Sequence, residues 1–255
     1  MKEQIKEFVM QMGVDDVGFA SVANYYSPNS PNIKTIFPEV KSIVVMAFKE
    51  LSTCESPSMQ IAMNGRLDLM EFSRSCNYKL ARFLERNFGA KAMTVGASYP
   101  LEMSLRTKGS IGEVSLRHAA LAAGLGTFGR HNLILHPKFG SRVIFTAVLS
   151  NLEIEGDQKL DQDICIQCDI CVNECPGRAL EQEGKTHLMK CLSNSQPYGL
   201  GGNIKFWQEF AGSTAEEQKT MVQDERFWKL YQAGFIGFQY CCFNCIAKCP
   251  IAKEG

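Results

Sequence analysis

The sequence predicts an α+β chain: a sheet covered by helices, followed by a short-elemented, cysteine-rich segment. Three observations predict it. Apolar, β-branched runs alternate with helical stripes over about the first 150 residues. Nine of the eleven cysteines, all but Cys54 and Cys76, fall after position 160. Near Gln158 the character changes, and glycine-punctuated stretches such as PYGLGGN replace the long apolar runs. The expected division is therefore 1–157 and 158–255.

The elements follow in order. KEQIKEFVMQMG carries Ile5, Phe8, Val9 and Met12 at helical spacing and stops at Gly13. DDVGFASV then reads as a strand. KTIFPEVKS reads as a loop without a functional role. SIVVMAF, Ser42 to Phe48, is a short β-branched run that fits a strand buried on both faces. From Asp68 to Phe88, residues Leu69, Phe72, Cys76, Leu80, Phe83 and Leu84 form a helical stripe ending at Gly89, with Cys76 in its core. AKAMTVGA and RVIFTAVLSNLEI supply two more strands. Between them SLRHAALAAG has a capping serine, strong helix formers and a terminal glycine, so it predicts a helix from Ser115 to Gly124.

Charge and hydropathy exclude several function classes. With 27 basic and 27 acidic residues the net charge is zero, so no global field attracts nucleic acid or an anionic membrane. No run of about 18 apolar residues is present to span a bilayer. The charged, amphipathic start lacks the apolar region of a signal peptide. A cytoplasmic location is expected. In a reducing compartment this many thiols point to metal ligation, not disulfides.

The cysteine spacing narrows the metal. Cys165-x2-Cys168-x2-Cys171-x3-Cys175-Pro is the bacterial ferredoxin run, whose first three thiolates hold one [4Fe–4S] cube while the fourth ligates another. Two-residue gaps wrap a loop around one cube, and the proline turns the chain away. Near the C-terminus Cys242, Cys245 and Cys249-Pro repeat part of the pattern, with Cys241 as a spare. Seven thiols leave two cubes one ligand short, and Cys191 is the natural eighth. The expected sets are Cys165, Cys168, Cys171 and Cys249 for one cluster, and Cys175, Cys191, Cys242 and Cys245 for the other. Zinc also takes C-x2-C knuckles, but as pairs and without a trailing Cys-Pro. GLGTFG, Gly124 to Gly129, matches a dinucleotide fingerprint in letters only, since it follows a helix and not a strand.

AGLGTFGRHNLILHPKFGSRV, Ala123 to Val143, resembles a signature of the epoxyqueuosine reductase and corrinoid reductive dehalogenase superfamily. MGVDDVGFAS, SIVVMAF and the order of the cysteine groups are similar to that superfamily too, so the resemblance covers nearly the whole chain. It implies a nitroreductase-like, cobalamin-binding domain over 1–157 and a ferredoxin-like domain with two [4Fe–4S] clusters over 158–255. By the same resemblance Leu125, Gly126, Gly129, Arg130, Gly140 and Ser141 should face the corrinoid, with glycines admitting a flat ligand. No segment supplies an axial histidine, which implies a base-off cobalt. Arg130, paired with a tyrosine proton donor such as Tyr99, should act on substrate. His118 and His131 are further candidate donors; His136 and His187 should make local hydrogen bonds.

Departures from the family matter. Its catalytic aspartate stands in a VDSAP-x-x-E stretch, and here VGASYPLE puts Gly96 at that place while keeping Glu102. The chain also ends without the helical repeats those enzymes use for tRNA, and no basic patch suggests tRNA binding. Two readings stay open, with a third behind them. One is an oxidoreductase that cleaves a small molecule reductively, fed by a redox partner such as a ferredoxin or flavodoxin. The other is an electron-transfer or corrinoid-handling protein that serves a corrinoid partner. The third keeps the clusters beside a domain that holds flavin or nothing.

Overall fold

The computed structural model describes residues 1–97, 101–102, 104–105, 107, 111–236 and 242–253. The described chain divides into two compact units. The first comprises 1–50, 68–168 and 249–255; the second comprises 51–67 and 169–248.

In the first unit, α1 (Lys2–Gln11) and β1 (Asp16–Ser21) lead through a short helix, α2 (Ile33–Ile36), to β2 (Ser42–Lys49). The stretch expected to be a loop thus contains a single helical turn, opened by Asn32, whose side chain accepts the Lys34 N–H. Next come α3 (Met59–Phe88), β3 (Ala92–Val95), the two-residue strands β4 (Leu101–Glu102) and β5 (Ile111–Gly112), and α4 (Leu116–Ala122). A small hairpin, β6 (Thr127–Phe128) with β7 (Ile134–Leu135), precedes the long strand β8 (Val143–Ser150). The main sheet is antiparallel throughout, in the order β1-β2-β8-β3. Central register pairs Ser42 with Ser150 and Lys49 with Val143.

Burial on both faces explains why β2 reads as an unbroken apolar run. Ile43, Val45 and Ala47 join Ala119, Ala120 and Ala123 at α4 on one face. Val44, Met46 and Phe48 join Ile5 and Val9 of α1 and Leu80 and Leu84 of α3 on the other. Each large aliphatic buried here contributes on the order of 1.5–3 kcal/mol. On this second face Thr146 donates to Asn77 Oδ1 at 2.7 Å, and Asn77 Nδ2 donates to the Val95 carbonyl at 3.2 Å. That chain satisfies the polar groups a buried layer would otherwise strand. Cys76 is fully buried there, as expected.

A second polar pair, with its histidine buried, fixes the start of β1. His136 is 1% exposed, and its Nε2 lies 3.3 Å from Asp16 Oδ2. The hydrogen bond from His136, set against the cost of burial, holds the Asp16 carboxyl below its ordinary range. A lowered carboxylate pKa stabilises the fold above the unfolded value of about 3.9, and that stability is lost as pH falls through the folded value. Thermal melts taken between about pH 5 and 3 should therefore fall more steeply for the native chain than for a His136→Gln variant. Parallel slopes would show that Asp16 makes no such contribution.

In the second unit, α5 (Ile170–Asn173) and α6 (Leu188–Ser195) are short, as the cysteine-rich composition suggested. The stretch between Cys191 and Cys242 includes one longer helix. It folds as α7 (Leu200–Gly212), α8 (Ala215–Met221) and α9 (Glu225–Tyr231), followed by α10 (Asn244–Ala247) beyond it. Phe206, 1% exposed, gathers Trp207, Phe210 and Phe227 at ring distances of 5.2, 6.2 and 5.9 Å. An aromatic cluster holds this backbone together. Thr214 and Glu217 close a capping box on α8, and Asp224 caps α9.

Candidate redox site

The second unit brings five thiols into electrostatic range, Cys171 together with the four of the expected second set. Cys175 follows α5, Cys191 lies in α6, Cys242 precedes α10 and Cys245 lies in it. Asn244 Nδ2 donates to the Glu174 carbonyl at 3.4 Å, tying α10 to the turn that carries Cys175. Burial, reinforced by Cys242, Cys191, Cys171 and Cys175, pushes the Cys245 thiol up to about 12. Burial also raises Cys191; the Ser195 hydroxyl lowers it in part, and Cys175 and Cys242 raise it. Such thiols are poor thiolates alone and become good ligands only when cationic metal replaces their protons. Cys175 Sγ further accepts the Ala179 N–H at 3.3 Å. None of the described cysteines forms a disulfide. Among the described residues no three His, Cys, Asp or Glu side chains close on a single-ion site.

In the first unit, Cys165 and Cys168 sit on a strained loop. Gln167 and Asp169, on either side of Cys168, are held at φ of 52° and 55°. Left-handed backbone costs a non-glycine residue about 1–2 kcal/mol, so the loop is fixed by its surroundings. Cys165 Sγ accepts the Arg130 N–H at 3.3 Å, and the Ile164 N–H donates to Thr127 Oγ1 at 3.0 Å. The buried Cys249 is held through its carbonyl, which accepts from Arg142 Nη2 at 3.2 Å.

The glycine-rich segment that supplies these contacts starts as the C-cap of α4. Gly124 takes φ of +68°, its N–H bonds to the Leu121 carbonyl, and the Leu125 N–H bonds to that of Ala120. That is a Schellman ending, which accounts for the first glycine without a dinucleotide. A Cβ on Gly126 would lie 2.2 Å from the Leu135 carbonyl oxygen, and one on Gly140 2.0 Å from that of Ile251. The close approach that demands these glycines is therefore to the chain's own backbone. Leu125, Gly126, Gly129, Gly140 and Ser141 are all buried, while Arg130 is half-buried.

A cavity of about 270 Å³ also lies in the first unit, lined in part by Ser27, Ser30, Gly96, Ser115, Arg117 and His118. Its volume is at the small end of the range for organic ligands. Ser115 sits at the N-cap of α4, but its hydroxyl lies 2.7 Å from His118 Nδ1 instead of capping the backbone. Its N–H donates to Tyr25 Oη at 2.9 Å. Burial, then the charge on Arg117, lowers the His118 pKa, while burial raises that of Tyr25. The sequence marked His118, and Ser115 only as a helix cap, but Tyr25, Ser27 and Ser30 went unnoticed. The i, i+3 spacing of Ser115 and His118 was the available signal.

The other histidines have local partners. His131 Nδ1 accepts the Leu133 N–H at 3.1 Å, and burial holds its pKa down at about 4. His187 Nδ1 accepts the Lys190 N–H at the start of α6. Tyr99 and Cys241 lie outside the described residues.

Comparison with known proteins agrees with this layout. Residues 159–181, which carry Cys165, Cys168, Cys171 and Cys175, match a 4Fe-4S binding domain model. An epoxyqueuosine reductase of Bacillus subtilis is 23% identical over 282 aligned residues, covering 99% of this chain and 64% of that protein. The chain is similar to the epoxyqueuosine reductases. It spans just under two-thirds of that relative's length. A solved epoxyqueuosine reductase in complex with a modified tRNA stem loop matches with a TM-score of 0.62 at 19% identity, covering 99% of this chain and 65% of that one. A catabolic reductive dehalogenase matches with a TM-score of 0.64 at 20% identity, covering 98% of this chain and 31% of that one. At these identities the structural matches establish the mixed helix-and-sheet fold. Among the described residues, no helix is long and apolar enough to cross a membrane.

Proposed function

We propose that this chain is an iron–sulfur, corrinoid-linked oxidoreductase that cleaves a small molecule reductively. Two [4Fe–4S] clusters pass electrons toward a base-off corrinoid, and a one-electron carrier of the ferredoxin or flavodoxin kind supplies them. The observation that carries this is that Cys191 and Cys245 both lie under the electrostatic influence of Cys175 and Cys242, thiols drawn from three separate stretches of sequence, with Cys171 also acting on Cys245. The other cluster, on Cys165, Cys168, Cys171 and Cys249, rests on spacing and on the 4Fe-4S domain match.

Residues 1–157 form the proposed nitroreductase-like, corrinoid-binding domain and 158–255 the cluster domain. A bound corrinoid would supply a strongly reducing metal centre. Two electrons and one proton convert R–X into R–H and X⁻, so a proton source is required. His118 is suited to that role: in the tautomer whose Nδ1 accepts from the Ser115 hydroxyl, its proton sits on Nε2. Arg130 and Tyr99 are proposed to position or protonate the substrate. Leu125, Gly126, Gly129, Gly140 and Ser141 would support the corrinoid site from beneath, since they are buried. Next to Arg130, the buried His131 Nε2 meets no hydrogen-bond partner among the described residues, which suits a bound group with an acceptor atom at this turn.

A second reading, an electron-transfer or corrinoid-handling protein, is favoured by Gly96, which lines the cavity without any titratable side chain. Turnover of a reducible small molecule without a protein partner would exclude it. The decisive test of the whole proposal is an inventory of iron, sulfide, zinc and cobalt in anaerobically purified protein. About eight irons per chain are expected, and added cobalamin should show a base-off spectrum. A colourless, zinc-loaded chain would remove the electron relay, and an unshifted cobalamin spectrum would remove the corrinoid.

A further inference from the structure

We propose that the glycine-rich segment Gly124–Arg142 is the seat of the first iron–sulfur cluster, gripping two of its ligands from opposite ends of the cysteine-rich sequence. The inference rests on the iron–sulfur reading above and adds a role for residues outside the cysteine motifs. Five contacts carry it. The Arg130 amide donates to Cys165 Sγ at 3.3 Å. Thr127 Oγ1 accepts the N–H of Ile164, the residue before that cysteine, at 3.0 Å. Arg142 donates through Nη2 to the Cys249 carbonyl at 3.2 Å and through Nη1 to the Ile251 carbonyl at 3.4 Å. Gly140 lets the Ile251 carbonyl approach to where a Cβ would stand, 2.0 Å away.

The physics gives this seat two effects. Cys165 and Cys249 are far apart in sequence, and fixing both on one segment removes much of the entropy cost of bringing them to one cube. The N–H···S bond also matters electrically. Hydrogen bonds to cluster sulfurs raise the reduction potential, because the reduced cluster carries more negative charge. Arg130 thereby acts through its main chain, independently of what its guanidinium does.

The test uses the full chain, reconstituted anaerobically with iron and sulfide and titrated electrochemically while each cluster's EPR signal is followed. Arg130→Pro removes the amide donor, and Arg130→Ala keeps it. The expected result is a shift of one cluster to more negative potential in Arg130→Pro, with Arg130→Ala like the native chain. Arg142→Gln should lose that same cluster, about four of about eight irons, and Arg142→Lys should restore part of it. Thr127→Val, near-isosteric, should weaken the same signal. Equal potentials in the two Arg130 variants, or loss of both clusters together, would overturn the seat while leaving the clusters themselves intact as a reading. A native chain without iron would overturn both.

Discussion

Replacing Cys245 by alanine should halve the iron, from about eight to about four per chain, and abolish one of two EPR signals. Cys245 is the sharpest member of its set to remove. Cys242 has Cys241 beside it as a possible replacement, whereas the neighbours of Cys245 in sequence are Asn244 and Ile246. Its burial also matters. A thiol pushed up to about 12 holds its proton at neutral pH, so iron binding must displace that proton. Cluster assembly at this site should release protons and weaken as pH falls. Cys54→Ala, outside both sets, should leave iron unchanged. Unaltered iron in Cys245→Ala would exclude the proposed grouping, and loss of both clusters would show that the two do not assemble separately.

The parts of this protein most legible in the sequence are those whose physics is local. β2 and β8 announce themselves because burial on both faces favours apolar side chains, and the C-x2-C gaps because a cube fixes loop length. Helix α3 was legible from Asp68 onward, where its apolar stripe serves the first unit's core. Its earlier turns, from Met59, belong with the second unit, and so break the periodicity. The aromatic core of α7 and α9 went unread because glycines and cysteines on either side dominated the composition. The glycine-rich segment was only partly legible, for a different reason. Its glycines suggested a flat ligand, but what presses on Gly126 and Gly140 are the carbonyls of Leu135 and Ile251. A partner far along the chain leaves no mark on local pattern. The Tyr25–Ser115–His118 network was equally hidden, since only the fold brings Tyr25 to α4.

The same substitution at two glycines should act in opposite directions. Gly126 is buried between the end of α4 and β6, and its backbone needs no left-handed turn. An added methyl would stand 2.2 Å from the Leu135 carbonyl oxygen and 2.6 Å from Ile134 Cγ2. Leu135 is paired with Thr127 in the hairpin, so relief must come from backbone movement and not from a rotamer. Overpacking of this kind costs about 1–3 kcal/mol or more, or roughly 2–4 °C of Tm per kcal/mol in a chain of this size. Moving Thr127 should also loosen its bond to Ile164, so Gly126→Ala should lose iron more readily to a chelator. Gly201 lies in α7, where a Cβ would meet nothing within 4 Å. There alanine improves helix propensity and restricts the unfolded chain, by up to about 1 kcal/mol, so Gly201→Ala should raise Tm slightly and leave iron alone. If Gly126→Ala melts like the native chain, the hairpin is looser than its contacts imply, and the close approach to Leu135 does not constrain the segment.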